Sequence, residues 1–140
     1  MTELTPSYFL QVLYDLLTAP GAFETEVNVF KGLRSNITGE YTLQIYPTNF
    51  RETTRAENVL ACTDSWQIAG VVSVSEEEAV DKTISFMQAV KAALDKLEET
   101  NADFTYALLP EAPVSYENFP YVVFNLQVDI SYLRRINNGI

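Results

Sequence analysis

Few side chains in this sequence are suited to acid–base or metal chemistry. The 140 residues include no histidine and a single cysteine, Cys62. The lack of histidine removes the commonest general base and metal ligand, together with every Ser–His or Cys–His arrangement. One thiol can form neither an internal disulfide nor a Cys-based zinc site, so we interpret Cys62 as a small buried or half-buried side chain. We therefore expect no catalytic residue, cofactor or metal, and we predict that the protein is not an enzyme.

Carboxylates are the remaining candidates for chemistry. Glu76, Glu77 and Glu78 directly follow Ser75 and precede an amphipathic segment. A serine followed three residues later by glutamate forms a capping box, and acids in the first turn suit the helix dipole. We interpret this cluster as the start of a helix. The alternative is an enzyme that uses carboxylates alone, with a divalent ion at Glu76 or Asp129.

Polar side chains alternate with apolar ones over residues 121–133, which is typical of a strand with one wet face. The polar positions of this row are Asn125, Gln127, Asp129 and Ser131. We interpret the row as a solvent-facing strand surface, but it could also line a pocket or a subunit contact. A small cytoplasmic ligand-binding domain would hold its ligand around Asn125, Gln127 and Tyr132.

Aromatic side chains in polar or proline-rich segments favour a role in protein contacts. Phe50 lies in the polar stretch 48–57, whereas Tyr116 and Phe119 lie in the proline-rich stretch 110–120. Aromatic residues and arginine are enriched at protein interfaces. We predict a subunit or partner interface that contains these aromatic residues and the sparse pairs of arginines: Phe50, Arg51, Arg55, Tyr116, Phe119, Arg134 and Arg135.

The charge of the chain restricts its partners. Nineteen acids against nine bases give a formal net charge of −10. This charge disfavours sequence-independent binding to phosphate backbones, although an acidic surface could line a channel that DNA passes without sticking. Residues 1–4 lack the basic and apolar regions of a secretory signal, and no apolar run approaches the roughly 20 residues of a membrane span. We expect no membrane association.

Two helices are predicted to position these residues. Thr5 as N-cap and Pro6 at the first helical position predict a helix over 6–17 with one broad apolar face. A second, longer helix is predicted over 76–98, after the capping box. Its apolar stripe is predicted to contain Val80, Thr83, Ile84, Met87, Val90, Leu94 and Leu97.

Five main strands are predicted around the helices, over 23–30, 40–46, 66–74, 104–109 and 121–133. Pro47 is predicted to end the second strand, and 48–57 to form a long hairpin arm or loop. Residues 58–62 could begin the third strand, with a bulge or break at 63–65. We therefore predict one α+β domain, with a mixed or antiparallel sheet of about five strands and two helices packed on it, in the order α-β-β-β-α-β-β.

This layout resembles that of the tail terminator, or tail-completion, proteins of long-tailed bacteriophages. The resemblance is carried by the helix over 6–17, by the aromatic-led strand 66–74 running into the helix 76–98, and by the alternating strand 122–132 close to the end of the sequence. It covers nearly the whole chain and is one of order and length. The family has no catalytic residues to carry over.

The resemblance implies a structural virion protein. Six copies would form a ring on the last ring of the tail tube, end tube polymerisation and present a joining surface to the head or neck. The implied partners are further copies, the tail tube protein and a neck or head-completion protein, with DNA passing through the channel without specific binding. The implied location is the virion and, during assembly, the host cytoplasm. Head–tail adaptor and neck proteins share parts of the layout, so that alternative stays open.

Overall fold

Two helices lie on one face of a six-stranded sheet in the structure of the protein, a computed structural model. It describes residues 4–34, 37, 39–73, 75, 77–99 and 103–135. The helices are α1 (Pro6–Thr18) and α2 (Ala79–Leu94), and a 3-10 turn at Asp95–Glu99 continues α2. The strands are β1 (Asn28–Lys31), β2 (Tyr41–Ala56), β3 (Val59–Ser73), β4 (Phe104–Leu108), β5 (Val114–Ser115) and β6 (Tyr121–Arg135).

The sheet is mixed, with the strand order β1-β2-β3-β6-β4 and with β5 also pairing with β6. β1 runs parallel to β2, whereas each other described pair is antiparallel. The predicted α+β fold is confirmed. The strand beyond the five main ones is β5, two residues long, which lies inside the proline-rich stretch 110–120.

The start of α1 follows the prediction from sequence. The Thr5 hydroxyl accepts a hydrogen bond from the Tyr8 backbone N–H at 3.2 Å, and proline occupies the first helical position. Because the first helical N–H groups have no partner within the helix, this cap supplies one of them with an acceptor. The helix buries Phe9, Leu13 and Leu17 against the sheet.

The start of α2 differs from the predicted capping box. The helix begins at Ala79, and Glu78 at the N-cap position makes no side-chain capping bond. The Glu78 N–H instead donates to the Ser75 backbone carbonyl at 3.1 Å, and its carboxylate pairs with Lys82 at 3.1 Å. The Glu78 N–H, which would donate to the serine hydroxyl in a capping box, is thus bonded to the Ser75 carbonyl in a backbone turn. Glu76 lies outside the described residues.

The buried face of α2 is also rotated from the predicted apolar stripe. Val80 and Ile84 are 52% and 44% exposed, whereas Phe86 and Ala93 are buried. The Phe86 ring packs edge to face on Phe124 at a centroid distance of 5.5 Å. An aromatic ring buries more area than a valine, so the contact of Phe86 with the sheet favours this rotation.

Pro47 does not end β2, contrary to the prediction. β1 ends with Lys31 opposite Ile45, so Pro47 faces no described strand on that side and its missing N–H costs no ladder bond. One extra β2 residue, Thr48, separates the cross-strand pairs made by Pro47 and Asn49. The Thr48 hydroxyl donates to the Ser65 carbonyl at 3.2 Å. The bulge therefore lies on β2, and the predicted bulge or break at 63–65 is wrong because β3 is continuous there.

The first strand is shorter than predicted, since β1 covers only the end of the segment 23–30. Phe23 packs instead against Phe86 at a centroid distance of 5.9 Å. The predicted polar stretch 48–57 belongs to a hairpin arm rather than a loop, because its residues continue β2 up to a turn at Glu57 and Asn58.

One hydrophobic core lies between the helices and the sheet face that they cover. We refer to the opposite face, which carries the row from Asn125 to Ser131, as the open face. Gly70 allows close packing on the covered face, because a Cβ there would lie 2.1 Å from Phe124 Cζ. The covered face contributes these fully buried side chains of the three long strands: Leu43, Ile45, Ile68, Val72, Phe124, Leu126, Val128 and Ile130.

Candidate functional site

The distal half of the β2–β3 hairpin is an exposed arm. Every β2 residue from Pro47 to Ala56 is exposed, and the turn uses Asn58 with a φ of 65°. The end of β6 supports the arm, since Arg135 pairs with Val59. We refer to residues 47–62 and 133–135 together as the arm. Nine residue steps along β2 make this exposed edge roughly 30 Å long.

Phe50 is the principal aromatic side chain of the arm. It is 51% exposed and lies edge-on to Trp66, with ring centroids 6.3 Å apart and an interplanar angle of 81°. It borders a shallow, mostly apolar groove of about 280 Å³, together with Pro6, Leu10 and Pro47. An exposed aromatic ring beside an apolar groove is a typical anchor for a protein partner.

Trp66 carries a buried donor without an acceptor. Its side chain is 2% exposed, and its indole N–H has no hydrogen-bond partner among the described residues. Leaving such a donor unsatisfied costs about 1–3 kcal/mol. The sequence placed Trp66 only at the start of the predicted strand 66–74, because alternation reports strand faces and not hydrogen bonding.

The arm also gathers the arginines predicted for the interface. Arg51, Arg55 and Arg135 are exposed, and no described residue forms an ion pair with them. Arg134 forms an ion pair at 2.9 Å with Glu52, which lies in the distal part of β2. The register explains the gathering, because β6 and β2 flank β3 at this end of the sheet.

The charge of the arm is opposite to that of the remaining chain. Residues 47–62 and 133–135 contain four of the nine basic residues but only two of the nineteen acids, Glu52 and Glu57. The arm therefore has a formal charge of +2, while the rest of the chain has −12. Such asymmetry favours contact between the arm and an acidic surface.

Tyr116 and Phe119 lie away from the arm. They are 48% and 42% exposed, and Tyr121 beside them is 41% exposed. They follow β5, which pairs with β6 at Val123 and Phe124, near the end opposite to Arg135. Because β6 has 15 residues, the two ends of this strand lie roughly 45 Å apart. The predicted interface residues therefore form two separate surfaces: the arm and the aromatic loop of Tyr116, Phe119 and Tyr121.

The polar row of β6 lies on the open face, as the alternation predicted. Gln127 Nε2 donates to Asp129 Oδ1 at 3.1 Å, and Ser131 Oγ lies 3.1 Å from Thr63 Oγ1. Tyr132, however, lies on the covered face and is 6% exposed, with its ring 4.7 Å from that of Phe9. The predicted ligand site of Asn125, Gln127 and Tyr132 is therefore wrong as a group, because alternation places Tyr132 on the other side of the sheet.

A buried carboxylate lies on the covered face of the sheet. Asp64 is 2% exposed, and Tyr132 donates its phenolic O–H to Asp64 Oδ2 at 2.9 Å. Burial raises the pKa of Asp64, while this hydrogen bond partly opposes the rise. Burial also raises the pKa of the Tyr132 phenol and of the Cys62 thiol, which is 2% exposed as predicted. The sequence analysis did not identify Asp64 as a buried residue. The available signal was its position two residues from both Cys62 and Trp66, which places all three on the same face of a continuous strand.

Carboxylates do not converge within the described residues. No group of three or more histidine, cysteine or acidic side chains there is arranged to hold a metal ion. Glu78 pairs with Lys82, Asp81 and Asp95 are exposed, and Asp129 accepts from Gln127.

Within the described ranges, no helix is long and apolar enough to cross a bilayer. The chain matches no protein-family model, and a search of curated proteins finds no match.

Proposed function

We propose that this protein is a structural virion protein that caps a phage tail tube as a ring of six copies. In this role it ends tube polymerisation and provides the joining surface to the head or neck. The observation that carries the proposal is the separation of two exposed aromatic surfaces, the arm and the aromatic loop, at opposite ends of β6. A joining protein needs two such surfaces because it contacts two different partners.

The arm supports contact with further copies and with the tube. It combines the half-exposed ring of Phe50 with three exposed arginines on an acidic protein. Aromatic and arginine side chains supply much of the energy of protein interfaces. Charge complementarity between the arm and the acidic remainder of another copy would fix orientation and raise the rate of association.

The remaining negative charge suits the channel of such a ring. Outside the arm the chain carries a formal charge of −12, and this part would include the channel wall. A negative wall repels the phosphate backbone, so DNA would pass without being retained. The expected partners are the tail tube protein and a neck or head-completion protein.

The experiment is a tube-capping assay. Purified protein is added to polymerising tail tube protein, and tube length and tube ends are scored in negative-stain images. Capping predicts shorter tubes with a ring of added density at one end. Tubes that grow to the same length, with bare ends at saturating protein, would rule out the terminator function.

A matched pair of variants assigns the surfaces. Phe50→Ala with Phe119→Ala is expected to impair capping while the far-UV circular dichroism stays unchanged. The control is Val80→Ala with Ile84→Ala, because these α2 side chains are similarly exposed, at 52% and 44%. Equal capping by both double variants would remove the arm and the aromatic loop from the proposal.

A further inference from the structure

The sheet has two open edges, at opposite sides of the end that carries the arm. β1 covers β2 only as far as Ile45, so no described strand pairs with the outer side of β2 beyond that residue. On the other side β4 is the last described strand. Exposed strand edges readily accept another strand, and proteins normally shield them unless they are used.

The outer edge of β2 presents backbone groups at alternate residues. Gly32 N–H donates to the Ile45 carbonyl at 2.7 Å, so the backbone of Ile45 faces outward from β3. Alternation along the strand, shifted by one residue at the bulge, gives the same outward orientation to Phe50, Glu52 and Thr54. Each of these residues directs one N–H and one C=O to the outer edge.

The outer edge of β4 is oriented in the same manner. Leu109 N–H donates to the Gln127 carbonyl at 2.9 Å, so the backbone of Leu109 faces β6. Alternation then directs the backbone groups of Phe104 and Leu108 away from β6, to the outer side of the sheet.

The two edges match in level and in direction. Glu52, Cys62, Tyr132 and Phe104 occupy one row across β2, β3, β6 and β4. Three antiparallel pairings separate β2 from β4, so these edge strands run in opposite directions. Two copies placed side by side in the same orientation would therefore bring β4 of one copy antiparallel to β2 of the next.

Side chains beside the edges are complementary. Arg51 and Arg55 are exposed along β2, and the exposed acid Asp103 directly precedes β4. On the covered face, the exposed ring of Phe50 would meet the half-buried Tyr106 and Leu108 of the neighbouring copy. Opposite charges and aromatic–aliphatic pairs across adjacent strands favour pairing.

We propose that copies of this protein join head to tail, with the outer edge of β2 in one copy pairing antiparallel with the outer edge of β4 in the next. The inference rests on the proposed function, because it names the contact that builds the ring. The joined strands form one sheet that continues from copy to copy. Such a heterologous contact uses two different surfaces and generates a ring where the rotation from one copy to the next closes.

The test uses two variants, each blocked at one edge. Thr54→Pro removes an outward N–H from β2, and Ala107→Arg places a positive charge on β4, diagonally opposite Arg51 on the same face of the joined strands. Ala107 and Thr54 are both exposed, so circular dichroism should show the wild-type fold. Should Thr54→Pro fail to fold, Arg51→Glu with Arg55→Glu blocks the same edge through charge. Mass is measured by light scattering at matched high concentration.

Head-to-tail pairing predicts a specific set of masses. The wild type forms species larger than the 15.8 kDa monomer, each variant alone stays at the monomer mass, and an equimolar mixture doubles it. In the mixture, the intact β2 edge of one variant meets the intact β4 edge of the other. Dimers of Ala107→Arg alone would instead indicate β2–β2 pairing, and a wild type that stays monomeric would also overturn the inference.

Failure here is distinguishable from failure of the proposed function. The mass measurement contains no tube protein, whereas capping is scored on tubes. Tubes capped by a protein whose edge variants keep wild-type masses would retain the terminator function and reject the β2–β4 contact. If the edge variants lower the mass but the protein has no effect on tubes, the β2–β4 contact is retained and the terminator function is rejected.

Discussion

Tyr132 donates its phenolic O–H to Asp64 Oδ2 at 2.9 Å from the adjacent strand, and both side chains are buried on the covered face of the sheet. This contact places an ionisable group inside the core at the base of the arm. The ion pair of Glu52 with Arg134 lies next to it along the strands. The stability of this part of the sheet should therefore depend on pH.

Asp64→Asn should remove a pH dependence from the free energy of unfolding. Because burial raises the pKa of Asp64, the native state holds the proton to higher pH than the unfolded chain does. Its favourable contribution is complete below the ordinary aspartate pKa and is lost as pH rises through the raised one. Urea unfolding measures the free energy of unfolding at pH 4 and at pH 7. From pH 4 to pH 7, the wild type should lose stability relative to Asp64→Asn. If the difference in free energy of unfolding between the two proteins is the same at both pH values, the prediction is contradicted.

Tyr132→Phe should destabilise the protein by about 1–3 kcal/mol at neutral pH, because a buried acceptor loses its donor. The loss should be smaller at pH 4, where the fraction of protonated Asp64 is larger. Combining Tyr132→Phe with Asp64→Ala, which removes the acceptor, in a double-mutant cycle isolates the contact. Purely additive effects of the two substitutions would show that the hydrogen bond contributes no coupling.

Gly70→Ala should destabilise the fold by roughly 1–3 kcal/mol through overpacking. The new methyl group would lie 2.1 Å from Phe124 Cζ on the covered face. Shortening the opposing ring by Phe124→Leu should recover part of the loss, whereas it should be costly alone. Thermal melts of the two single variants and the double variant measure this, and the absence of any recovery would point to a backbone cause.

The two helix starts should respond differently to the loss of a hydroxyl. Thr5→Ala should cost about 1 kcal/mol, since Thr5 accepts from Tyr8 N–H. Ser75→Ala should change stability by less than about 0.5 kcal/mol, because the turn before α2 uses the Ser75 carbonyl instead. Denaturant midpoints compare the two variants directly. A larger loss of stability in Ser75→Ala than in Thr5→Ala would instead support the capping box predicted from the sequence.

Local patterns in the sequence were sufficient to predict the elements that are stabilised by residues close to one another in the chain. The proline and threonine at the start of α1 and the strict alternation of β6 predicted both elements to within two or three residues. The alternation also separated the polar row from the buried side of β6. These patterns succeed because capping and strand parity act over a few residues.

Tertiary contacts decided the rest. Pro47 stays in β2 only because β1 ends before it, and Phe86 selects the buried face of α2 through its contact with Phe124. The gathering of the arginines on the arm and the alignment of the β2 and β4 edges follow from a register that joins residues some 80 positions apart. The sequence by itself determined an acidic α+β chain with interface-prone aromatic residues. Only long-range strand pairing decided that these residues form two surfaces, since sheet order is set by packing between distant segments.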